Sequence, residues 1–284
     1  MALVTPFKND SSIDFDALQR LINFVIEGGV QYLVTLGTTG ETPTLSKEEK
    51  LDVINATFTF TAGRVPVVIG AGGNNTAEVV KEIEAFPTEK AVAVLSASPC
   101  YNKPSQEGIF QHYKTIAAAT RKPIILYNVP GRTGSNITAA TTVRLAKEVE
   151  NIGGIKEASG NMAQCAEILR DKPEEFMVVS GDDALTLPQI ACGMDGVISV
   201  AANCFPKDFC IMVQAALAND FKTARIYNNG LLQGYDLLFA ENNPAGVKAF
   251  LSELGIIQNY LRLPLVPLSS HLHAQVRNYL PSLK

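Results

Sequence analysis

The feature that most constrains the fold is an alternation of two kinds of segment along the 284-residue chain. Short, almost continuously apolar runs alternate with longer segments whose apolar residues recur at helical spacing. Near-continuous apolar runs are typical of parallel strands that are buried on both faces. We predict eight such strands, at residues 2–5, 32–36, 65–69, 91–95, 124–127, 152–156, 177–180 and 197–200.

The segments between these runs are predicted as helices. Asp14 precedes the first as a possible N-cap, and Ser46 begins an S-x-x-E capping box before the second. Further helices are predicted at residues 76–86, 106–119, 138–149 and 162–169, with Thr138 among the candidate caps. Strands alternating with helices over about 220 residues predict a (β/α)8 TIM barrel. A doubly wound open sheet is the alternative, but no G-x-G-x-x-G motif follows the first predicted strand.

The C-terminal part of the chain has no further strand pattern. Helices are predicted at residues 221–238, 244–254 and 270–280. We therefore expect a catalytic barrel over residues 1–220 and a C-terminal three-helix segment over residues 221–284. Because the first predicted strand begins almost at Met1, we also expect the native chain to carry a short leader before it.

Composition and charge exclude several classes of protein. The net charge of −4 argues against a nucleic-acid or anionic-membrane surface, which would need a basic excess. The sequence has no run of about 18 apolar residues and no secretory signal pattern at its N-terminus. Its 5 cysteines are widely spaced and odd in number, which favours reduced thiols in a cytoplasmic protein. The 3 histidines form no H-E-x-x-H motif, so we expect no catalytic zinc.

Chemically active side chains recur where the predicted strands end. Thr38 and Thr39 follow the second strand, Tyr127 ends the fifth and Lys156 ends the sixth, with Arg132 in the loop after Tyr127. In a TIM barrel these ends meet on one rim, which carries the active site. Each residue also has an ordinary interpretation, as a turn, a core aromatic or a surface cation.

A lysine among tyrosines and threonines on such a rim favours Schiff-base catalysis. The neutral amine attacks a carbonyl, and the protonated imine then accepts electrons as a C–C bond forms or breaks. Tyr127 is suited to move protons, and Arg132 to bind a carboxylate in a bidentate manner. Tyr101 follows the fourth predicted strand in a proline-framed loop and could join them or simply pack at an interface.

Six stretches resemble the dihydrodipicolinate synthase/N-acetylneuraminate lyase family of class I aldolases. They are GTTGE at residues 37–41, YNKPSQEG at 101–108, YNVPGRTG at 127–134, GIKEASGN at 154–161, SGDD at 180–183 and GVISV at 196–200. The resemblance covers nearly the whole chain. The YNKP segment and Arg132 are similar to the synthase branch, which condenses pyruvate with aspartate-4-semialdehyde in diaminopimelate and lysine biosynthesis.

The resemblance implies roles for the residues that bind pyruvate. Lys156 would form the imine with pyruvate, without a metal or another cofactor. Thr38 and Thr39 would hold the pyruvate carboxylate, while Gly181 and Ile198 would line the pocket.

The resemblance also implies a proton relay and an assembly. Tyr127, Thr39 and Tyr101 would form the relay, and Arg132 would bind the carboxylate of the semialdehyde. The family is typically a homotetramer of tight dimers in which the residue matching Tyr101 reaches the neighbouring active site.

One departure from the family pattern concerns feedback inhibition by lysine. Members that lysine inhibits usually carry a tyrosine where this chain has Cys100. Asn74 and Glu78 match other positions of that allosteric site, but Lys47 and Lys50 stand where such members often carry histidine. Two added cations would repel a lysine ligand, so we expect weak or absent inhibition.

Alternatives remain within and outside this interpretation. A lyase acting on N-acetylneuraminate or a 2-keto-3-deoxy sugar acid would share Lys156 and Tyr127, and Arg132 is the residue that favours the synthase. A pyridoxal-phosphate enzyme would also use a lysine, but no further phosphate motif supports it. A non-catalytic barrel would have little reason to retain this set of side chains.

Overall fold

The computed structural model describes residues 1–282, and its elements confirm the predicted alternation. Within these residues the strands are β1 Leu33–Thr35, β2 Val67–Gly70, β3 Ala93–Ala97, β4 Ile124–Asn128, β5 Ile152–Glu157, β6 Met177–Ser180 and β7 Gly196–Val197. The helices are α1 Phe15–Glu27, α2 Lys47–Thr61, α3 Thr76–Ala85, α4 Gln106–Ala117, α5 Pro130–Thr133, α6 Ala139–Glu148, α7 Met162–Asp171, α8 Thr186–Ala191, α9 Pro206–Leu217, α10 Phe221–Phe239, α11 Ala245–Glu253 and α12 Ser270–Tyr279. The strands follow the chain order in one sheet, which confirms the α/β, TIM-barrel-like class with C-terminal helices.

The chain divides into two compact units. One unit comprises Met1–Val67 with the described residues from Ser199 onward, and the other comprises Val68–Ile198. The division predicted after residue 220 stays a prediction.

In the Val68–Ile198 unit, parallel pairing aligns the carboxyl ends of neighbouring strands. Tyr127 of β4 is the register partner of Lys156 of β5, and Asn128 is the partner of Glu157. The strand side chains are almost all buried, as expected for parallel strands covered on both faces. The register therefore places the tyrosine and the lysine side by side.

In the other unit, the first predicted strand forms one isolated bridge instead of a ladder. Ala2 pairs with Val34 of β1, and the Leu3 N–H donates to the Val34 carbonyl. The next step of this pairing would involve Leu36, which leaves the extended conformation with a φ of 56°. On the opposite edge, the Ala2 N–H donates to the Ser199 carbonyl at 2.8 Å and the Val4 N–H donates to the side-chain oxygen of Asn203 at 3.3 Å. The apolar run at residues 2–5 is buried as predicted, but its backbone pairing is limited to isolated contacts.

The predicted caps begin their helices as the sequence indicates. Asp14 accepts a hydrogen bond from the Ala17 N–H at 2.9 Å at the start of α1. Ser46 and Glu49 form both hydrogen bonds of a capping box at α2. Thr138 accepts from the Thr141 N–H at the start of α6. These bonds satisfy N–H groups that a helix start leaves without an intrahelical acceptor.

The C-terminal helices lie within about a residue of their predicted bounds. Helix α9, which precedes them, was not predicted, although Pro206 stands at its first turn and Phe209, Met212 and Ala216 form its buried face. Helix α10 packs against α9, α11 and α12. Among the described residues, no helix has both the length and the apolar composition needed to span a bilayer.

Candidate active site

The centre of the candidate site is the pair formed by Lys156 and Tyr127 at the ends of β5 and β4. Lys156 is 4% exposed and Tyr127 is 8% exposed. The Lys156 Nζ atom lies 4.3 Å from the centroid of the Tyr127 ring, over its face. An amine over an aromatic face is held by the ring quadrupole when it is charged. The pairing fixes the amine beside a hydroxyl-bearing ring, as the strand-end pattern predicts.

Gly181, directly after β6, gives the lysine side chain its space. A Cβ atom at this position would lie 2.6 Å from Ala158 Cβ and 2.8 Å from Lys156 Cε. Real Cβ atoms essentially never approach so closely. The Gly181 N–H donates to the Glu157 carbonyl at 2.8 Å, which holds the two strand ends together. Gly181 thus lies directly against the lysine.

Ile198 directly follows β7. It is fully buried, and its N–H donates to the Ser180 carbonyl at 2.9 Å. This hydrogen bond continues the pairing between β6 and β7 by one residue beyond the strand. Ile198 is therefore fixed to the end of the strand that leads into Gly181.

Tyr101 lies in a loop that is hydrogen-bonded to the short helix carrying Arg132, and both side chains are exposed. Tyr101 has a φ of 70° and is 88% exposed. Its N–H donates to the Thr133 carbonyl at 3.3 Å, in the short helix α5 that carries Arg132. The Tyr101 phenol is therefore presented to the outside, in contrast to the buried Lys156 and Tyr127.

In the unit that contains the N-terminal residues, Thr38 and Thr39 form a tight 3-10 turn after β1. Thr39 is 2% exposed, and its Oγ1 accepts a hydrogen bond from Asn243 Nδ2 at 3.0 Å. The turn ends at Glu41, a non-glycine residue at a φ of 54°. The turn is thus held in place by a residue that lies about two hundred positions later in the chain.

Glu41 and Lys248 form a fully buried ion pair behind this turn. Lys248 Nζ lies 2.5 Å from Glu41 Oε1 and donates to the Tyr260 carbonyl at 2.8 Å. The Arg262 N–H donates to the other Glu41 oxygen at 3.0 Å. Burial lowers the pKa of Lys248 to about 8, and the Glu41 carboxylate opposes this change. Sequence reasoning missed Lys248, whose signal is a lone cation in the apolar helix α11.

The candidate allosteric residues lie on the surface of the Val68–Ile198 unit. Asn74, Glu78 and Cys100 are exposed. The Glu78 carboxylate forms an ion pair with Lys81 at 2.8 Å, and the Asn74 carbonyl accepts from Asn102 Nδ2 at 3.2 Å.

No group of three or more His, Cys, Asp or Glu side chains within residues 1–282 is arranged to hold a metal ion. The chemistry available at the strand ends is that of the lysine amine and the hydroxyl groups. In a TIM-barrel-like fold the carboxyl ends of the strands carry the active site, and a lysine amine there is chemically able to form an imine with a carbonyl group.

Comparisons with known proteins identify the family. The chain belongs to the dihydrodipicolinate synthetase family, whose model matches residues 1–282. It is 50% identical over 283 residues to the 4-hydroxy-tetrahydrodipicolinate synthase of Parabacteroides distasonis, covering 100% of this chain and 95% of that relative. Like the members of this family, the chain is an enzyme, and the family is one of lyases in lysine and diaminopimelate biosynthesis.

Solved structures agree with this assignment. The dihydrodipicolinate synthase of Aquifex aeolicus superimposes with a TM-score of 0.96 at 41% identity, over 99% of this chain and 96% of that chain. A chloride-inhibited dihydrodipicolinate synthase of Acinetobacter baumannii, complexed with pyruvate, gives a TM-score of 0.96 at 41% identity, over 99% and 97% of the two chains.

Proposed function

We propose that this enzyme condenses pyruvate with L-aspartate-4-semialdehyde as a 4-hydroxy-tetrahydrodipicolinate synthase, with Lys156 as the nucleophile. The observation that carries the proposal is the buried Lys156 amine, 4.3 Å from the centre of the Tyr127 ring at the carboxyl ends of β5 and β4. Relatives about 50% identical over the full chain carry this enzyme name. The related structure from Acinetobacter baumannii was solved with pyruvate.

The reaction needs one amine and a supply of protons. The Lys156 amine adds to the C2 carbonyl of pyruvate, water leaves, and a protonated imine forms. Loss of a C3 proton gives an enamine, whose C3 forms a C–C bond to the aldehyde carbon of the semialdehyde. The amino group of the added substrate then attacks C2, closes the ring and releases the lysine. These steps require no metal and no organic cofactor.

The neighbouring residues take the remaining roles. Thr38 and Thr39 hold the pyruvate carboxylate, and Gly181 and Ile198 line the pocket. The buried position of Thr39 and its hydrogen bond from Asn243 support this role, since a fixed hydroxyl loses little entropy on binding.

Proton transfer combines the buried hydroxyl groups of Tyr127 and Thr39 with the exposed phenol of Tyr101. Tyr127, Thr39 and Tyr101 relay protons during imine formation, addition and cyclisation. Arg132, exposed on α5, binds the carboxylate of the semialdehyde as a bidentate partner.

A further part of the proposal is that the enzyme is cytoplasmic and forms a homotetramer of tight dimers. The exposure of Tyr101 supports the assembly. A tyrosine that is 88% exposed in one chain is available to reach the active site of a neighbour.

Mixing two inactive variants, Lys156→Ala and Tyr101→Phe, tests whether Tyr101 acts in the neighbouring active site. If Tyr101 acts across subunits, mixed assemblies regain activity because some sites contain both residues. Absence of recovery after confirmed subunit exchange would show that Tyr101 acts within its own chain.

A turnover assay with alternative second substrates tests the reaction itself. We expect product formation from pyruvate and aspartate semialdehyde, and no cleavage of N-acetylneuraminate or a 2-keto-3-deoxy sugar acid. The Arg132→Ala variant should raise the KM for the semialdehyde and leave the KM for pyruvate nearly unchanged. Turnover of N-acetylneuraminate alone would move the enzyme to the lyase branch.

A further inference from the structure

Glu157, the residue after the proposed nucleophile, is a fully buried carboxylate that the proposed chemistry does not use. Its Oε2 accepts hydrogen bonds from Asn128 Nδ2 and Gln164 Nε2, each at 2.9 Å. Its Oε1 accepts from the Ser159 N–H at 2.7 Å. Carboxylates are almost never fully buried unless they are paired, and here the partners are amide N–H groups. A carboxylate held in this way fixes the positions of the groups that donate to it.

The hydrogen bonds extend from Glu157 into neighbouring elements. Asn128 Nδ2 also donates to Asn136 Oδ1 at 2.8 Å, and Asn136 Nδ2 donates to Gln164 Oε1 at 2.7 Å. The Ile137 N–H donates to Asn128 Oδ1 at 2.9 Å. The network thereby joins the ends of β4 and β5 to α7 and to the segment before α6.

Strand geometry links this network to the candidate catalytic pair. Asn128 pairs with Glu157 one position beyond Tyr127 and Lys156. Successive side chains of a strand point to opposite faces of the sheet. The network therefore lies on one face of the strand ends, and the lysine and tyrosine lie on the other. If the network were weakened, the strand ends could move, and the position of the Tyr127 ring relative to the Lys156 amine would change.

We propose that Glu157 is a positioning residue: with Asn128 and Gln164 it holds the ends of β4 and β5 so that the Tyr127 ring faces the Lys156 amine. This inference rests on the proposed function, in which Lys156 forms an imine with pyruvate. Glu157 does not contact the substrate in this account, and it acts through the strand ends.

The test uses a nearly isosteric substitution and a matched control directly before the same strand. Glu157→Gln replaces one acceptor oxygen by a donor that faces other N–H groups. Asn151→Ala is the control, because the Asn151 amide at the opposite end of β5 donates to the carbonyls of Ala117, Thr120 and Lys122 at 2.8, 2.9 and 3.3 Å. For each protein we would measure Tm, kcat, the KM for pyruvate, and the rate at which borohydride traps pyruvate on Lys156.

We expect Glu157→Gln to lower kcat and the trapping rate about tenfold to a hundredfold, since misplacement of reacting groups by about an ångström has effects of this size. The KM for pyruvate should stay within about twofold, because its binding residues are unchanged. Asn151→Ala should lower Tm and leave both rates at the wild-type value.

Each contrary outcome has a separate meaning. If the Glu157→Gln variant has a lower Tm but traps pyruvate at the wild-type rate, the role of Glu157 is purely structural. Equal rate losses in Asn151→Ala would also overturn the proposal. If Glu157→Gln does not fold, Gln164→Met removes one hydrogen-bond donor to Glu157 and should lower kcat and the trapping rate by a smaller factor. A wild-type chain that traps no pyruvate would refute the proposed function, and the positioning role with it.

Discussion

At the scale of single residues, the space beside Lys156 depends on the absence of a side chain at Gly181. A methyl group there would lie 2.8 Å from Lys156 Cε and 2.6 Å from Ala158 Cβ. We expect Gly181→Ala to lower kcat at least about a hundredfold, because the amine must move to relieve these contacts. Gly230→Ala is the control, since a Cβ atom there meets nothing within 4 Å. Steady-state kinetics of both variants checks this, and wild-type activity in Gly181→Ala would contradict it.

A second residue-scale prediction concerns His112 and acid stability. His112 is 4% exposed, its Nδ1 lies 2.9 Å from Thr76 Oγ1, and burial lowers its pKa to about 4. Below about pH 6.5 the unfolded chain binds a proton at this residue that the folded chain does not, so stability falls as the pH is lowered. From pH 7 to pH 5 the loss is about 2 kcal/mol.

Denaturant unfolding at the two pH values measures this contribution. His112→Gln should reduce the acid-induced loss of stability by about that amount. The matched control, His271→Gln, alters an exposed histidine on α12 and should keep the wild-type pH dependence. An unchanged pH dependence in His112→Gln would contradict the prediction.

The site residues predicted from the sequence and those that were missed differ in what their prediction requires. Lys156 and Tyr127 stand at the ends of predicted strands, so strand periodicity alone brings them to one rim. Glu157 and Lys248 are buried charged side chains, and their burial is tolerated because of partners far away in the sequence: Asn128 for the first and Glu41 for the second. A local pattern does not specify such partners.

At the scale of elements, the Glu41–Lys248 pair joins the turn after β1 to helix α11. Both side chains are fully buried. We expect Lys248→Met to cost about 3–5 kcal/mol of unfolding free energy, because it leaves the Glu41 carboxylate buried without its cation. The double variant Glu41→Gln/Lys248→Met should recover most of this loss, since the remaining amide is neutral. Urea unfolding of both variants tests this, and an equal loss in the two would contradict the ion-pair account.

The elements also show where sequence periodicity is sufficient. Helices α1, α2 and α6 begin at the predicted caps because a side-chain oxygen satisfies the first free N–H groups. The apolar run at residues 2–5 has the composition of a strand, yet its pairing with β1 stops after one bridge, where Leu36 leaves the extended conformation. Composition predicts burial for these helices and for the apolar run alike. A strand additionally needs a backbone partner, which only the tertiary structure supplies.

At the scale of the whole molecule, regulation by lysine is an open prediction of the sequence. The resemblance to the family implies that Cys100 stands where lysine-inhibited members carry a tyrosine, and that Lys47 and Lys50 add cations to that region. We expect weak or absent inhibition by L-lysine, because like charges repel the ligand. A steady-state assay over a range of L-lysine concentrations checks this. Replacing both lysines by histidine should increase inhibition, and micromolar inhibition of the wild-type enzyme would contradict the prediction.

The most direct test of the central claim is borohydride trapping with pyruvate, read by intact mass and then by peptide mapping. The account predicts one reduced pyruvate adduct per chain, located on Lys156 and absent from the Lys156→Ala variant. Lys248 serves as an internal comparison, because it is a second buried lysine and should carry no adduct. An adduct on another lysine, or no adduct while the enzyme turns over, would contradict imine catalysis by Lys156.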